Sequence, residues 1–387
     1  MKLTLKFVLI GLLILSFSNC EQKETSSFII NSIVDSIIKD TLLTNSKVKQ
    51  YAKFTSDMKS KGFTTGNILV YENEEIVFQS SDGLRSIDPI DSLTLNSQFR
   101  LASVSKQFTA VAIMKLKQAG NLDYDQKVNT ILTDFPHDNI TIKHLLHHTS
   151  GIADYIEMPR IRTKRYILGN TEVLDIFYNS NPKLNFQPGE EFEYSNTGYL
   201  VLASIVEKIS KQHFRDFLKE NIFEPLEMNS TILYNYQEAN DPNMPNRVFG
   251  YRKTENKKDY ELNDYHVVNN VRGDGGIYST LNDLYKWNMA LVNYKVLPKE
   301  YLDEAWSWGT LNNGEKIIYG FGWFRFLEDK TKPKTVFHSG GWVGFATYLF
   351  NEIETKSGYI VLTNNSTRVI FDIKNAIDSI RADVPKE

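Results

Sequence analysis

The spacing of apolar residues predicts two helices at the start of this chain. A polar stretch opens the segment 21–45, and Ile30, Ile33 and Ile37 then follow at helical spacing. We therefore expect a tether and an amphipathic helix there. A second helix, ended by Gly62, carries its apolar stripe on Val48, Tyr51, Phe54 and Met58.

The pattern then changes to strands, to helices and back to strands. A hairpin is predicted where residues 66–71 and 76–78 flank a short polar turn. Residues from about 125 to 250 are mainly helical, and the last third predicts antiparallel strands at 320–326, 335–338, 343–350 and 358–362, before a helix at 369–381. The expected fold is α/β of the α+β kind. An antiparallel β-sheet built from both chain ends is flanked by N- and C-terminal helices, and a mainly helical region is inserted.

One predicted helix is apolar nearly all round. Between Phe108 and Met114 the only polar residue is Thr109, and a helix of this kind is buried in a protein core. Its N-terminus follows Ser103 and brings unpaired N–H groups and the positive end of a helix dipole there.

A lysine follows this serine at a spacing suited to nucleophilic catalysis. On a helix, Ser103 and Lys106 share one face, so the amine lies within proton-transfer reach of the hydroxyl. The spacing alone is weak evidence, because Ser-x-x-Lys also begins at Ser36, Ser46, Ser56 and Ser180. The first three fall on amphipathic stretches, and the last contains a proline, so the buried context selects Ser103.

Two other segments offer groups that such a serine needs. Tyr194-Ser-Asn196 lies in a loop just before a predicted helix, where the phenol can act as a proton carrier. The run His338-Ser339-Gly340-Gly341 ends a predicted strand. Its glycines let backbone N–H groups approach a ligand closely, as an oxyanion hole requires.

The composition and the N-terminal residues limit the expected partners and cellular location of the protein. With 387 residues, 41% hydrophobic and a net charge of -3, the chain has a large core and no basic footprint for nucleic acid. Lys2 and Lys6 precede an apolar run at 7–17, which is typical of a secretory signal, and the single cysteine, Cys20, follows it. This arrangement resembles a bacterial lipoprotein signal. Cleaved soluble export and an incidental thiol are the alternatives.

Taken together, the motifs resemble the penicillin-recognising serine hydrolases, above all the class C β-lactamase-related branch with its D,D-peptidases, D-aminopeptidases and esterases. The resemblance rests on Ser103-x-x-Lys106, Tyr194-x-Asn196 and His338-Ser339-Gly340 in that order. Further matches lie at 145–152, 188–196, 275–284 and 319–323. It implies a β-lactamase/transpeptidase-like catalytic domain over 46–381, after a signal at 1–20 and the tether at 21–45.

The resemblance also implies roles for individual residues. Ser103 would be acylated, and Lys106 and Tyr194 would share the proton transfers. Asn196 would hold the amide side chain of the substrate, and the N–H groups of Ser103 and Gly341 would form the oxyanion hole. No metal or organic cofactor is implied. The expected partners are a small-molecule or peptide substrate and a membrane reached through a lipid on Cys20.

One departure from the family pattern narrows the range of expected substrates. The third motif begins with His338, where β-lactamases usually carry a lysine that can hold a substrate carboxylate. Lys356-Ser-Gly358 has the lysine form, but it lies at a predicted hairpin tip. We therefore expect an exported serine hydrolase of esters, amides or D-amino-acid peptides. A β-lactamase, and an inactive lipoprotein that binds cell-wall peptide, are the alternatives.

The histidines at 144, 147 and 148 share one face of a helix, which is a pattern that metal sites also use. No carboxylate or cysteine lies at a suitable offset from them. A structural role is therefore the expectation for this segment.

Overall fold

The structure, a computed structural model, describes residues 46–61, 64, 66–236, 244–256, 259–326, 333–365 and 369–382. The predicted signal peptide, the tether and Cys20 lie outside these residues. Within them, no helix has both the length and the apolar character that crossing a bilayer requires.

The chain divides into two compact units. One comprises residues 57–376, and the other comprises residues 1–56 and 377–387. The described parts of the second unit, 46–56 and 377–382, are helical. The candidate site described below lies entirely within 57–376.

The strands and helices follow the predicted order of sheet, helices and sheet. In chain order the strands are β1 (Gly66–Glu72), β2 (Glu75–Asp82), β3 (Leu84–Ile87), β4 (Ile90–Ser92), β5 (Phe99–Arg100), β6 (Ile232–Leu233), β7 (Tyr251–Lys253), β8 (Tyr260–Leu262), β9 (Ile277–Ser279), β10 (Gly309–Thr310), β11 (Lys316–Ile317), β12 (Phe324–Arg325), β13 (Thr335–Trp342), β14 (Phe345–Glu352) and β15 (Ser357–Thr363). The α-helices are α1 (46–60), α2 (Lys106–Gln118), α3 (Ile142–Leu146), α4 (Pro159–Arg162), α5 (Asn170–Ser180), α6 (Asn196–Ser210), α7 (Phe214–Leu218), α8 (Leu281–Val292), α9 (Lys299–Ala305) and α10 (Val369–Ala382).

The main sheet is antiparallel and joins the two ends of the chain. Its six strands lie in the order β12-β13-β14-β15-β1-β2. The N-terminal hairpin adds to the C-terminal strands where β1 pairs with β15, with Leu69 opposite Ile360. The fold expected from the sequence, an antiparallel sheet with helices and a helical insertion, is confirmed.

The central strands of the sheet show little alternation of polar and apolar residues, and their burial explains this. All seven residues of β15 are buried, and so are the first six of β1. A strand covered on both faces has no solvated side to fill with polar residues. The residues Gly358 to Leu362 therefore form one almost continuous apolar run.

The predicted strand at 320–326 is wrong for most of its length. Only Phe324 and Arg325 pair in the sheet. The preceding residues turn, because the Gly320 N–H donates to the Trp323 carbonyl at 2.9 Å and Gly322 has a φ of +88°. The side chains of Phe321 and Trp323 are fully buried in this turn. Its apolar pattern reflects core packing rather than pairing between strands.

Helix α2 crosses the core, as its apolar sequence predicts. Ten of its thirteen residues are buried, and Phe108 stacks on Trp287 of α8 with ring centroids 4.2 Å apart. The chain enters α2 through β5 and a short 3₁₀ turn, Ala102–Ser105. Ser103 therefore lies in this turn, three positions before the first residue of the α-helix that it was expected to begin.

Candidate active site

Two sheets hold the turn that carries Ser103. Just before it, the Leu101 N–H donates to the Ile277 carbonyl of β9 at 2.8 Å, and the Leu101 carbonyl accepts from the Thr347 hydroxyl of β14 at 2.8 Å. Ala102 has a φ of +49°, in the left-handed region that costs a non-glycine residue about 1 kcal/mol or more. The surrounding bonds keep this conformation in place and leave Ser103 partly exposed.

Lys106 joins three parts of the chain through one buried amine. Its side chain is fully buried, and Nζ lies 3.1 Å from Ser103 Oγ. The same nitrogen lies 2.8 Å from Asn196 Oδ1 and 2.9 Å from the Asp274 carbonyl oxygen. Three oxygens match the three donors of an ammonium group, so the amine is fully satisfied. The predicted pairing of serine and lysine is present as geometry.

Tyr194 lies against this amine. Lys106 Nζ is 4.9 Å from the centroid of the Tyr194 ring. The Tyr194 hydroxyl is buried and has no hydrogen-bond partner among the residues that the structure describes. An unpaired buried hydroxyl costs stability, and such groups concentrate where a ligand completes the site. The phenol therefore remains available to a reacting group.

His148 holds the tyrosine motif in place, a role the sequence analysis missed. The Ser195 N–H donates to His148 Nδ1 at 3.1 Å, and the imidazole lies 4.2 Å from the Tyr194 ring. Because a backbone N–H can only donate, Nδ1 accepts and the ring proton is on Nε2. Burial above all, with the nearby Lys106 ammonium, lowers the pKa of His148 well below its usual value. The ring is thus a neutral support for Tyr194.

Asn196 is fixed by a carboxylate that the sequence analysis also missed. Asp154 Oδ2 accepts from the Asn196 backbone N–H at 2.9 Å and from its side-chain amide at 2.8 Å. Asn196 is the first residue of α6, so the carboxylate lies at the positive end of a helix. Both bonds orient the amide so that its oxygen faces Lys106.

A second carboxyl is buried next to the lysine. Burial raises the pKa of the Asp274 carboxyl, and the Lys106 ammonium and a hydrogen bond from Tyr155 act in the opposite direction. The Tyr155 hydroxyl donates to Asp274 Oδ2 at 2.8 Å. The segment 273–276, just before β9, thus supplies both the carbonyl that binds Lys106 and this carboxyl.

The four residues of the third motif do not all reach the cleft. Ser339 and Gly341 are exposed, whereas His338 and Gly340 are buried on the other face of β13. His338 Nδ1 lies 2.6 Å from the Ser339 carbonyl, so this nitrogen carries the proton, and Nε2 accepts from the Tyr319 hydroxyl at 3.0 Å. Burial chiefly, and the Lys106 ammonium next, lower the pKa of His338 to about 3. The ring is neutral at pH 7.

The two glycines differ in what surrounds them. A Cβ on Gly340 would collide with the Leu101 carbonyl oxygen and with the Thr347 hydroxyl. Gly340 therefore lets β13 pack directly on the turn that carries Ser103. A Cβ on Gly341 would meet nothing within 4 Å.

These elements surround a cavity of about 240 Å³. Ser103, Tyr194, Asn196 and Gly341 line it, while His338, Ser339 and Gly340 do not. The remaining lining residues are Arg100, Ala102, Tyr155, Ile156, Val268, Val271, Asp274, Gly275 and Trp342. The structure thus brings together four of the predicted site residues around one space, with Lys106 directly beneath Ser103.

The other candidates lie elsewhere. Lys356 follows β14 in a hairpin and binds Glu74 and Asn293 rather than the cavity. His144 completes a capping box at the start of α3, and His147 bonds the Tyr319 carbonyl. In the described part of the chain, no three His, Cys, Asp or Glu side chains are grouped as metal ligands.

The surroundings of the two glycines predict that the same substitution lowers stability at Gly340 and barely changes it at Gly341. We expect Gly340→Ala to lower the free energy of unfolding by at least about 2 kcal/mol, because its methyl group meets backbone. Gly341→Ala should change it by less than about 0.5 kcal/mol. Urea unfolding of both variants measures this difference. Equal losses would contradict the packing of Gly340 on Leu101.

The buried histidines predict a loss of stability in mild acid. Burial lowers the pKa of His147 to about 4 and that of His338 to about 3, with His148 also lowered, so the unfolded chain binds more protons below about pH 6.5. Stability should therefore fall between pH 6.5 and 4, at up to about 1.4 kcal/mol per pH unit for each ring. Buried carboxyls with raised pKa, such as Asp274, offset part of this loss.

Urea unfolding at pH 7, 6 and 5 measures this slope. His338→Gln should reduce it by about 1 kcal/mol per pH unit. His213→Gln, at an exposed histidine, is the matched control and should leave the slope unchanged. A wild-type slope that His338→Gln does not alter would show that this ring is charged or solvated in the folded protein.

Comparison with known proteins assigns this chain to a family. Residues 51–378 match the family described as Beta-lactamase. Penicillin-binding protein 4* of Bacillus subtilis (strain 168) is 36% identical over 307 residues, which cover 77% of this chain and 68% of the relative. The chain spans about two thirds of the length of the curated relatives it matches.

Solved structures share the fold. A penicillin binding protein from Bacillus halodurans has a TM-score of 0.73 and 24% identity, covering 85% of this chain and 98% of that one. The D-amino acid amidase from Ochrobactrum anthropi SV3, complexed with L-phenylalanine amide, has a TM-score of 0.70 and 20% identity, covering 88% of this chain and 98% of that one. The family match and the 36% identity to a curated relative confirm the resemblance seen in the motifs: this chain belongs to the beta-lactamase family of serine hydrolases.

Proposed function

We propose that this protein hydrolyses a small ester, amide or D-amino-acid peptide through an acyl-enzyme on Ser103. The observation that carries the proposal is the 3.1 Å separation between Ser103 Oγ and the fully buried Lys106 Nζ, at the edge of a cavity large enough for a small substrate. A hydroxyl beside a positioned amine is the arrangement of an activated nucleophile.

The proposed reaction proceeds in two steps. Ser103 Oγ forms a bond to the acyl carbon, and its proton passes to Lys106 and by way of the Tyr194 hydroxyl to the leaving group as the bond to that group breaks. A water molecule then attacks the acyl carbon, the bond to Ser103 Oγ breaks, and a proton returns to the serine. An ammonium group at Lys106 can accept the proton of Ser103 only as it passes one of its own protons, by way of the Tyr194 hydroxyl, to the leaving group.

The proposed oxyanion hole consists of the backbone N–H groups of Ser103 and Gly341. Both residues line the cavity, and Gly341 has open space where a side chain would be. Removing one such donor in measured cases costs about 3–4 kcal/mol of transition-state stabilisation. Asn196, oriented by Asp154, lines the same cavity and is proposed to contact the substrate there.

The third motif favours ester and amide substrates over β-lactams. His338 is neutral and buried behind Tyr194, with ring centroids 6.3 Å apart, so it offers no positive charge at the place where a lysine would stand. A D-amino acid amidase shares the fold, which supports an amide as one candidate substrate class for this chain.

We further propose that the protein is exported and anchored through a lipid on Cys20. The charged start, the apolar run and the single cysteine support this. Multiple acyl chains give stable membrane anchoring, whereas one chain gives only marginal binding.

Labelling of the nucleophile tests the enzymatic proposal. Incubation with a fluorophosphonate should add one adduct to the wild-type protein and none to Ser103→Ala, as read from intact mass. Ser56→Ala is the matched control, because Ser56 and Lys59 form another Ser-x-x-Lys on the exposed face of α1. An adduct that persists in Ser103→Ala would disprove the assignment.

A substrate panel then distinguishes the reaction classes. We expect turnover of 4-nitrophenyl esters or D-amino-acid amides at least about a hundredfold faster, in kcat/KM, than turnover of nitrocefin. Faster nitrocefin hydrolysis would support a β-lactamase instead. Peptide binding without any turnover or adduct would support the binding lipoprotein.

Cell fractionation tests the anchor. In a bacterial host with lipoprotein processing, the wild-type protein should sediment with membranes, and Cys20→Ser should move most of it to the soluble exported fraction. Ser18→Ala, two residues earlier, is the control and should behave as the wild type. Unchanged fractionation of Cys20→Ser would contradict lipid attachment at Cys20.

A further inference from the structure

Arg100 lies in the wall of the same cavity as Ser103 and has no part in the chemistry described above. It ends β5, where it pairs with Tyr278 of β9, and its side chain is only 3% exposed. A guanidinium group remains charged in proteins. A buried positive charge normally requires a partner of opposite charge.

The structure provides no such partner. One Arg100 amine, Nη2, donates to the Asn269 carbonyl at 3.2 Å, and Nε has no hydrogen-bond partner among the described residues. Within the described ranges, no carboxylate lies at ion-pair distance from Arg100. Its guanidinium carbon lies 5.8 Å from the ring centroid of Trp342, which also lines the cavity. Most of its five donors are therefore left for another group.

A second buried arginine, Arg247, provides a comparison, because a carboxylate neutralises its charge. Arg247 forms an ion pair with Asp264, and its guanidinium carbon lies 4.9 Å and 4.6 Å from the rings of Tyr234 and Phe249. It does not line the cavity. Arg100 has the aromatic neighbour but lacks the carboxylate.

The other charged groups around the cavity are already engaged. Lys106 directs its amine to three oxygens, and Asp274 and Asp154 accept from Tyr155 and Asn196. His338 is neutral. Arg100 is thus the cation that this wall presents to a substrate.

We propose that Arg100 binds a carboxylate of the substrate and so makes the enzyme selective for anionic esters or amides. This rests on the proposed hydrolysis at Ser103. Arg100 lies three positions before Ser103 in the sequence, so their Cα atoms are at most about 11 Å apart, which one small substrate can span. The planar guanidinium fork binds a carboxylate through two parallel hydrogen bonds. Arg100 offers its charge from β5, a different position from the one on β13 where a lysine of the third motif would stand.

Two matched substrate pairs test the proposal. On the acyl side, 4-nitrophenyl hydrogen succinate is compared with its methyl ester. On the leaving-group side, benzoyl thioglycolate is compared with the corresponding amide. We expect the wild-type enzyme to prefer the carboxylate member of at least one pair.

Substitution of Arg100 should remove that preference. Arg100→Gln should lower kcat/KM for the carboxylate member at least about thirtyfold and change the neutral member less than about threefold. Arg100→Lys should fall between them, because it keeps the charge but loses the fork. Arg252→Gln, at an exposed arginine, controls for net charge and should change neither.

Equal losses for both members of each pair would overturn the proposal and make Arg100 a structural residue. No wild-type preference in either pair would also overturn it. A binding measurement separates this result from a failure of the proposed hydrolysis. In Ser103→Ala, calorimetry should show tighter binding of N-acetyl-D-alanine than of N-acetyl-D-alaninamide, and Arg100→Gln should abolish the difference. That outcome would support the anion site even if no ester were hydrolysed.

Discussion

The arrangement of the site depends on satisfying one buried amine. Lys106 Nζ is shielded from water, and a buried amine without partners would destabilise the protein by several kcal/mol. Its three oxygen partners come from the turn of Ser103, the start of α6 at Asn196 and the loop at Asp274. Folding must bring these three segments together. The requirement that the buried amine be hydrogen-bonded therefore also assembles the groups around Ser103.

The supports behind those partners are neutral or fully bonded. His148 and His338 both lie close to the lysine, and the surrounding protein keeps both rings uncharged. A second positive charge there would compete with Lys106 for the same few acceptors. Asp154 and Asp274 supply the compensating polarity, one through Asn196 and the other through its backbone carbonyl. Arg100 is the exception, because it lines the cavity and no carboxylate among the described residues pairs with it.

Much of the fold was predictable from the chain, and so was the closeness of Ser103 to Lys106, whereas the catalytic role of Ser103 stays a prediction. Helix α2 was predicted because its sequence is apolar nearly all round. Its expected burial distinguished Ser103 from the four other serines that precede a lysine by three positions. The sequence analysis failed where local pattern and tertiary packing disagree, as in the turn before Phe324. It also missed Asp154 and His148, because their importance depends on contacts with residues more than forty positions away. Short polar residues in loops carry no periodic signal that indicates such contacts.

The bond between Thr347 and the Leu101 carbonyl spans 246 residues, and it secures the turn that carries Ser103 to a strand near the end of the chain. Gly341 is contributed by the strand that precedes it. During synthesis, the segment with Ser103 emerges long before either of these supports. Ser103 therefore reaches its final geometry only after the last strands have joined the first hairpin. The arrangement of Ser103, Lys106 and Gly341 is thus complete only in the folded protein, and the nascent chain lacks it during most of its synthesis.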